Sequence, residues 1–187
     1  MLEVKIFTLY PDLFPGPLDF GIFKKARENK IWNLKVINIR DYSKDNHGTV
    51  DDTPFGGGSG MLLRPDILAS ALDQNIEKGE KIIYLSPRGK KFDQNVARSL
   101  SKEKNLNLIC GHFEGVDQRL IETRNIEEYS LGDFVLSGGE PASFVFVDAL
   151  VRLLPGVLGN KDSVKEESFE NHLLEYPQYT KPREWEG

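Results

Sequence analysis

Apolar residues fall along the chain in short blocks, and the spacing inside each block follows one of two periods. "LEVKIFTL" (2–9) sets β-branched and aromatic side chains at alternating positions and stops before Pro11, which predicts a strand. "PLDFGIFKKARENK" (17–30) spaces its apolar residues for a helix and carries basic residues late, where they suit the helix dipole. "LKVINI" (34–39) predicts a second strand, and "RPDILASALDQNI" (64–76) a helix opened by Pro65. "KIIYLS" (81–86) reads as a buried strand ended by Pro87 and Gly89, followed by a helix, "FDQNVARSLSKEK" (92–104). "LNLIC" (106–110) predicts another strand, and "DQRLIETR" (117–124) a short helix. "YSLGDFVLSGG" (129–139) reads as a strand interrupted by Gly132, and "PASFVFVDALVRLLPG" (141–156) as a long apolar helix.

Strands alternating with helices predict an α/β fold: a mostly parallel sheet with helices on both faces. Two segments break the rhythm. "RDYSKDNHGTVDDTPFGGGSGM" (40–61) is polar, aperiodic and rich in glycine. Residues 160–187 offer few core side chains and two prolines, and read as a connector with a small anchor around "LLEYPQY". The expected division is therefore one domain over 1–159 and a flexible linker over 160–187.

Composition narrows the class. A chain of 187 residues with 39% hydrophobic content can bury one sizeable core. No apolar stretch is long enough to span a bilayer, and "MLEVKIFTLYPDLF" lacks a secretory leader, so a cytoplasmic protein is expected. The lone Cys110 excludes an internal disulfide, and the histidines and cysteine show no metal-ligand spacing, so no metal is expected. A formal net charge of −5 argues against a generally basic surface. It leaves room for a local phosphate-binding patch from Arg88, Lys90, Lys91 and Arg98.

In parallel α/β sheets, ligands bind beyond the carboxyl ends of the strands. Three such ends carry unusual residues: "LSPRG" (85–89), "CGHFEG" (110–115) and "SLGDFVLSGGEP" (130–141). Glycines there expose the backbone to a polar ligand. "GGGSGM" (56–61) lacks the lysine and hydroxyl of a nucleoside-triphosphate loop, and no dinucleotide fingerprint follows the first strand. Cys110 and the aromatics Phe144 and Phe146 read as core, and His112 as a structural residue of its turn.

The motifs "PFGGGSGM", "YLSPRG", "CGHFEGVDQRL", "EYSLGDFVLSGGEPA", "RLLPGVLG" and "LLEYPQYTKP" occur in one order along the chain. In that order they resemble the bacterial tRNA (guanine-N1) methyltransferases, the TrmD family of the knotted SPOUT class, which modify guanine 37 beside the anticodon. The resemblance implies a deep trefoil knot built from the three loops, a homodimer with shared sites, and S-adenosyl-L-methionine folded into the knot. It assigns the cofactor to Ser86, Pro87, Gly111, Glu114, Leu131, Gly132, Asp133, Phe134, Val135, Leu136, Gly138 and Gly139. Glu114 is placed near the cofactor's sulfonium. Asp51, Asp52, Gly57 and Gly58 would hold the guanine, with carboxylates accepting from its N–H edge and glycines lying flat against a flipped base.

The resemblance gives two catalytic residues. Arg152 matches an arginine important to the family, and a guanidinium can offset the charge left when N1 loses its proton. Glu167, in "EESF", stands where the family usually has an aspartate before serine, and is the expected general base. It is longer than aspartate by one carbon–carbon bond, ~1.5 Å, and Asp162 is the nearby alternative carboxylate. The family also carries a helical C-terminal domain after this point. Two other readings stay open here: a truncated, weakly active or inactive cofactor-binding dimer, or a knotted methyltransferase acting on another RNA.

Overall fold

The computed structural model describes residues 1–158 and 176–185. In chain order its elements are β1 (Leu2–Thr8), α1 (Gly21–Glu28), β2 (Trp32–Asn38), β3 (Asp51–Asp52), β4 (Leu62–Leu63), α2 (Pro65–Asn75), β5 (Lys81–Lys91), α3 (Gln94–Leu100), β6 (Asn105–Ile109), α4 (Gln118–Thr123), β7 (Glu127–Ser130) and α5 (Gly139–Val151). Five strands form one sheet in the order β2-β1-β6-β5-β7, every neighbouring pair parallel. β3 and β4 make a separate antiparallel ribbon.

The period-2 alternation of the strands divides the interior in two. Val4, Ile6, Leu106, Leu108, Ile83 and Leu85 point to one face, where Ala26 of α1, Ala97 and Leu100 of α3, and Phe146, Val147 and Leu150 of α5 cover them. Phe7, Ile37, Ile109, Ile82 and Tyr84 point to the other, against Ile67, Leu68 and Leu72 of α2 and Leu120 and Ile121 of α4. The expected helices on both faces are present. Among the described residues, no helix is long and apolar enough to cross a membrane.

The differences from expectation have local causes. Gly21 sits at φ +56°, which stops a continuous helix from residue 17; residues 16–19 form a single 3₁₀ turn and α1 starts afresh. Asp93 is the cap of α3 rather than part of it, accepting from the N–H groups of Asn95 and Val96 at 3.0 Å each. Asp117 caps α4 in the same way, accepting from the Arg119 N–H at 2.9 Å.

Two strand expectations need correction. Pro87 and Gly89 do not end β5. The register against β7 jumps between Leu85 and Lys90, both opposite Tyr129, so Ser86–Gly89 bulge out and the strand resumes. A bulge tolerates the missing N–H of a proline. Conversely, β7 ends at Ser130, and Leu131–Gly138 is a loop although its apolar spacing resembles a strand.

Candidate active site

The bulge of β5, the turn after β6 and the loop after β7 meet at one end of the sheet. Together they enclose a cleft of about 460 Å³, beyond the carboxyl ends of β6 and β7. Ser86, Pro87, Gly111, Glu114, Leu131, Gly132, Phe134, Val135, Leu136, Gly138 and Gly139 all line it; Asp133 is exposed and does not. A volume of this size suits a small organic ligand, and apolar walls interleaved with main chain suit one with both flat and polar parts. The residues present therefore fit a small ligand with a flat apolar part and polar groups.

Close backbone contact builds the cleft. The Gly139 N–H donates to the Gly111 carbonyl at 2.9 Å. A Cβ on Gly139 would lie 2.6 Å from the Cα of Cys110, and one on Gly111 would lie 2.5 Å from the ring of Tyr84. A Cβ on Gly138 would run into the ring of His112. These three glycines serve the packing of the loops on each other as well as any approach by a ligand.

Under the cleft lies a polar cluster that the sequence reading missed. Glu140, in the first turn of α5, is 2% exposed. It accepts from Thr8 Oγ1 at 2.5 Å, and both its carboxylate oxygens lie 2.8–2.9 Å from Nε2 of His112. Thr8 Oγ1 in turn accepts from the Tyr10 N–H at 2.9 Å, and the Tyr10 ring meets the imidazole edge-on at 5.0 Å. The available signal was an acid at the head of an apolar helix, where the helix dipole favours an anion. Burial, with Glu140 as a further cause, pushes the Cys110 thiol far up, so it is no nucleophile.

The rim has its own fastenings. The Glu114 N–H donates to the Met61 carbonyl at 2.8 Å, and the Leu63 N–H to the Gly115 carbonyl at 3.0 Å, so the glycine-rich segment before β4 is tied to the cleft. Arg88, expected to meet phosphates, donates through Nε to Glu128 at 2.9 Å and through Nη2 to Gln118 at 2.6 Å, across the cleft mouth.

Other expected site residues stand apart from the cleft within one chain. Asp51 and Asp52 form β3, and Asp52 accepts from the Thr53 N–H at 2.7 Å. Gly57 and Gly58 are exposed at φ +87° and +133°. Arg152 caps the far end of α5, roughly 20 Å from Gly139 at 1.5 Å of rise per residue. Glu167 and Asp162 lie outside the described residues.

Fold and cleft together define the class: an α/β protein with a cleft, sized for a small molecule, walled by three loops beyond parallel strands. The family model described as tRNA (Guanine-1)-methyltransferase TrmD matches residues 2–187. A protein named tRNA (guanine-N(1)-)-methyltransferase from Pelagibacter ubique is 67% identical over 186 residues, covering 100% of this chain and 82% of that protein. One of the same name from Wolbachia pipientis wMel is 51% identical, covering 99% of the chain and 80% of that protein. A third, from Bartonella tribocorum, is 52% identical, covering 99% and 79%. The chain belongs to the TrmD family.

Proposed function

We propose that this chain transfers the methyl group of S-adenosyl-L-methionine to N1 of guanine 37 in tRNA, acting as a cytoplasmic homodimer. The observation that carries the reading is the cleft itself, walled by the three glycine-bearing loops in a chain of this family. Those loops are the segments from which the family's trefoil knot is tied, and their close backbone contacts are what a knot would require.

S-adenosylmethionine supplies an electrophilic methyl group on a sulfonium sulfur. The chain's residues do the rest. The main chain and apolar walls of the cleft orient the adenosine and methionine ends, and alignment supplies much of the rate. Glu167 takes the N1 proton as the N1–carbon bond forms and the sulfur–carbon bond breaks. Arg152 offsets the negative charge on the guanine, while Asp51, Asp52, Gly57 and Gly58 hold the base.

The dimer is supported by the distance of Arg152 from its own cleft and by exposed apolar side chains beside α5. Val145 on α5, and Leu13 and Phe20 on either side of the 3₁₀ turn 16–19 that packs against it, are each more than half exposed. Such a face suits a second copy, whose Arg152 and residues 160–187 then complete the site.

Labelled methyl transfer to a tRNA transcript bearing guanine 37 tests the reading, with nucleoside analysis of the product. The expected product is 1-methylguanosine, lost when position 37 is changed to adenine. Label in another nucleoside, or none, overturns it.

A further inference from the structure

Glu140 joins three segments that are far apart in sequence: Thr8 at the end of β1, His112 in the turn after β6, and the start of α5 that carries Gly138 and Gly139. Its two side-chain partners are a hydroxyl and an imidazole. Burying an ionised carboxylate costs several kcal/mol unless hydrogen bonds and charge offset it. An Nε2–H of His112 can donate to this carboxylate, both of whose oxygens lie within hydrogen-bonding distance of it. The ring cannot turn freely, because Tyr10 meets it edge-on and Gly138 leaves no space beside it. His112 follows Gly111 in the turn whose backbone meets Gly139, and its own carbonyl accepts from the Gly115 N–H at 3.0 Å, closing that turn.

We propose that Glu140 and His112 are positioning residues for the cofactor: the buried carboxylate fixes the imidazole, and the imidazole fixes the Gly111–Gly115 turn against the head of α5. Glu140 does not line the cleft, whereas His112, Gly111, Gly138 and Gly139 do. Affinity for S-adenosylmethionine therefore depends on a carboxylate behind the wall, acting through His112. This inference rests on the cofactor reading given above.

The experiment measures calorimetric affinity for S-adenosylmethionine, with turnover at saturating cofactor and thermal melting of the free protein. It compares wild type, His112→Ala, His112→Gln, Glu140→Gln, and the double variant His112→Ala/Glu140→Gln. A hydrogen bond to a charged group is worth about one to two factors of ten. His112→Ala should weaken binding by about tenfold or more, and Glu140→Gln by several-fold. His112→Gln carries an amide N–H near the place of Nε2 and should restore most of the loss. The double variant should bind no worse than His112→Ala alone, because Glu140 acts through the ring. Turnover is read at saturating cofactor so that a loss of affinity is told apart from a loss of rate.

Additive losses in the double variant, or no rescue by His112→Gln, would overturn the proposal. So would a large fall in turnover with affinity unchanged, which would make His112 a catalytic residue. Should His112→Ala fail to fold, His112→Gln against Glu140→Gln decides it: only the second is expected to weaken binding. Wild type that binds no S-adenosylmethionine would sink the cofactor reading itself, whereas normal binding by every variant would sink this inference alone.

Discussion

Gly139 rests on Gly111 backbone to backbone: the amide of the first donates to the carbonyl of the second over 2.9 Å. The start of α5 thus lies directly on the turn that follows β6. A methyl group on Gly139 would meet main-chain atoms of Cys110 and Gly111 at 2.6–2.9 Å, and main chain cannot swing aside as a side chain can. Overpacking of this kind costs about 1–3 kcal/mol, or roughly 2–12 °C in a domain of this size. Gly139→Ala should therefore lower the melting temperature by several degrees and weaken S-adenosylmethionine binding together. Unchanged melting and affinity in scanning and titration calorimetry would show that the two loops have room to part.

The order of the elements was legible because each strand and helix carries its period in a few neighbouring residues. The cleft was harder. Leu131–Leu136 read as strand because Phe134, Val135 and Leu136 form a short apolar run, yet Val135 is 84% exposed and lines the cleft rather than a core. Local pattern cannot separate a side chain that faces a ligand from one that faces a neighbouring strand. Pro87 and Gly89 read as an end because a bulge and a stop use the same residues. The motif order led to most of the cleft lining through family resemblance, but not to the clamp beneath it. Thr8 and Glu140 are 132 positions apart, and only the folded sheet brings them together.

Arg152 gives a test of the shared site. About 15 Å of helix separates it from Ala142, the nearest residue of α5 that lines its own cleft. If it serves the partner's cleft, Arg152→Ala and Gly139→Val should each be nearly inactive as homodimers. Unfolded together and refolded as a mixture, they should form mixed dimers with one intact site, recovering roughly a quarter of wild-type turnover. A mixture no more active than its components would place Arg152 and the cofactor in the same subunit's chemistry. Sedimentation of either variant as a monomer at micromolar concentration would contradict the dimer as well.

One edge of the sheet carries a pH-dependent tie. Lys81, which begins β5, donates to Glu127, which begins β7, at 2.8 Å, and the Tyr129 hydroxyl donates to the same carboxylate at 2.8 Å. The hydrogen bond from Lys81 is the largest cause holding the Glu127 carboxyl below its usual 4.5. A depressed folded-state pKa contributes stability that is present above 4.5 and lost as pH falls through the lower folded value. Glu127→Gln should thus melt lower than wild type at pH 7, and the gap should close progressively below pH 4.5. Both side chains are about one-third exposed, so the gap should be small and should shrink in high salt. A gap that persists unchanged at pH 3 would mean that packing, not charge, explains it.

The proposed base for the guanine N1 proton is Glu167, a glutamate where the family resemblance sets an aspartate. Glu167→Gln keeps the length of the side chain but cannot accept a proton. Turnover should fall by about 10²–10⁴ while affinity for S-adenosylmethionine stays within a few-fold, because general-base catalysis is felt only in the transition state. A glutamate's ordinary value is near ~4.3, so a wild type that uses one as its base should be active at neutral pH and lose kcat/KM on an acidic limb that Glu167→Gln lacks. Glu167→Asp separates charge from reach. It shortens the side chain by ~1.5 Å, and a misplacement of about 1 Å can cost roughly 100-fold. If the backbone here is set for glutamate, Glu167→Asp should lose one to two factors of ten; if it follows the usual family geometry, Glu167→Asp should equal or exceed wild type. Either result keeps a carboxylate at this position as the base. Full turnover by Glu167→Gln would not, and would transfer the role to Asp162 or to water.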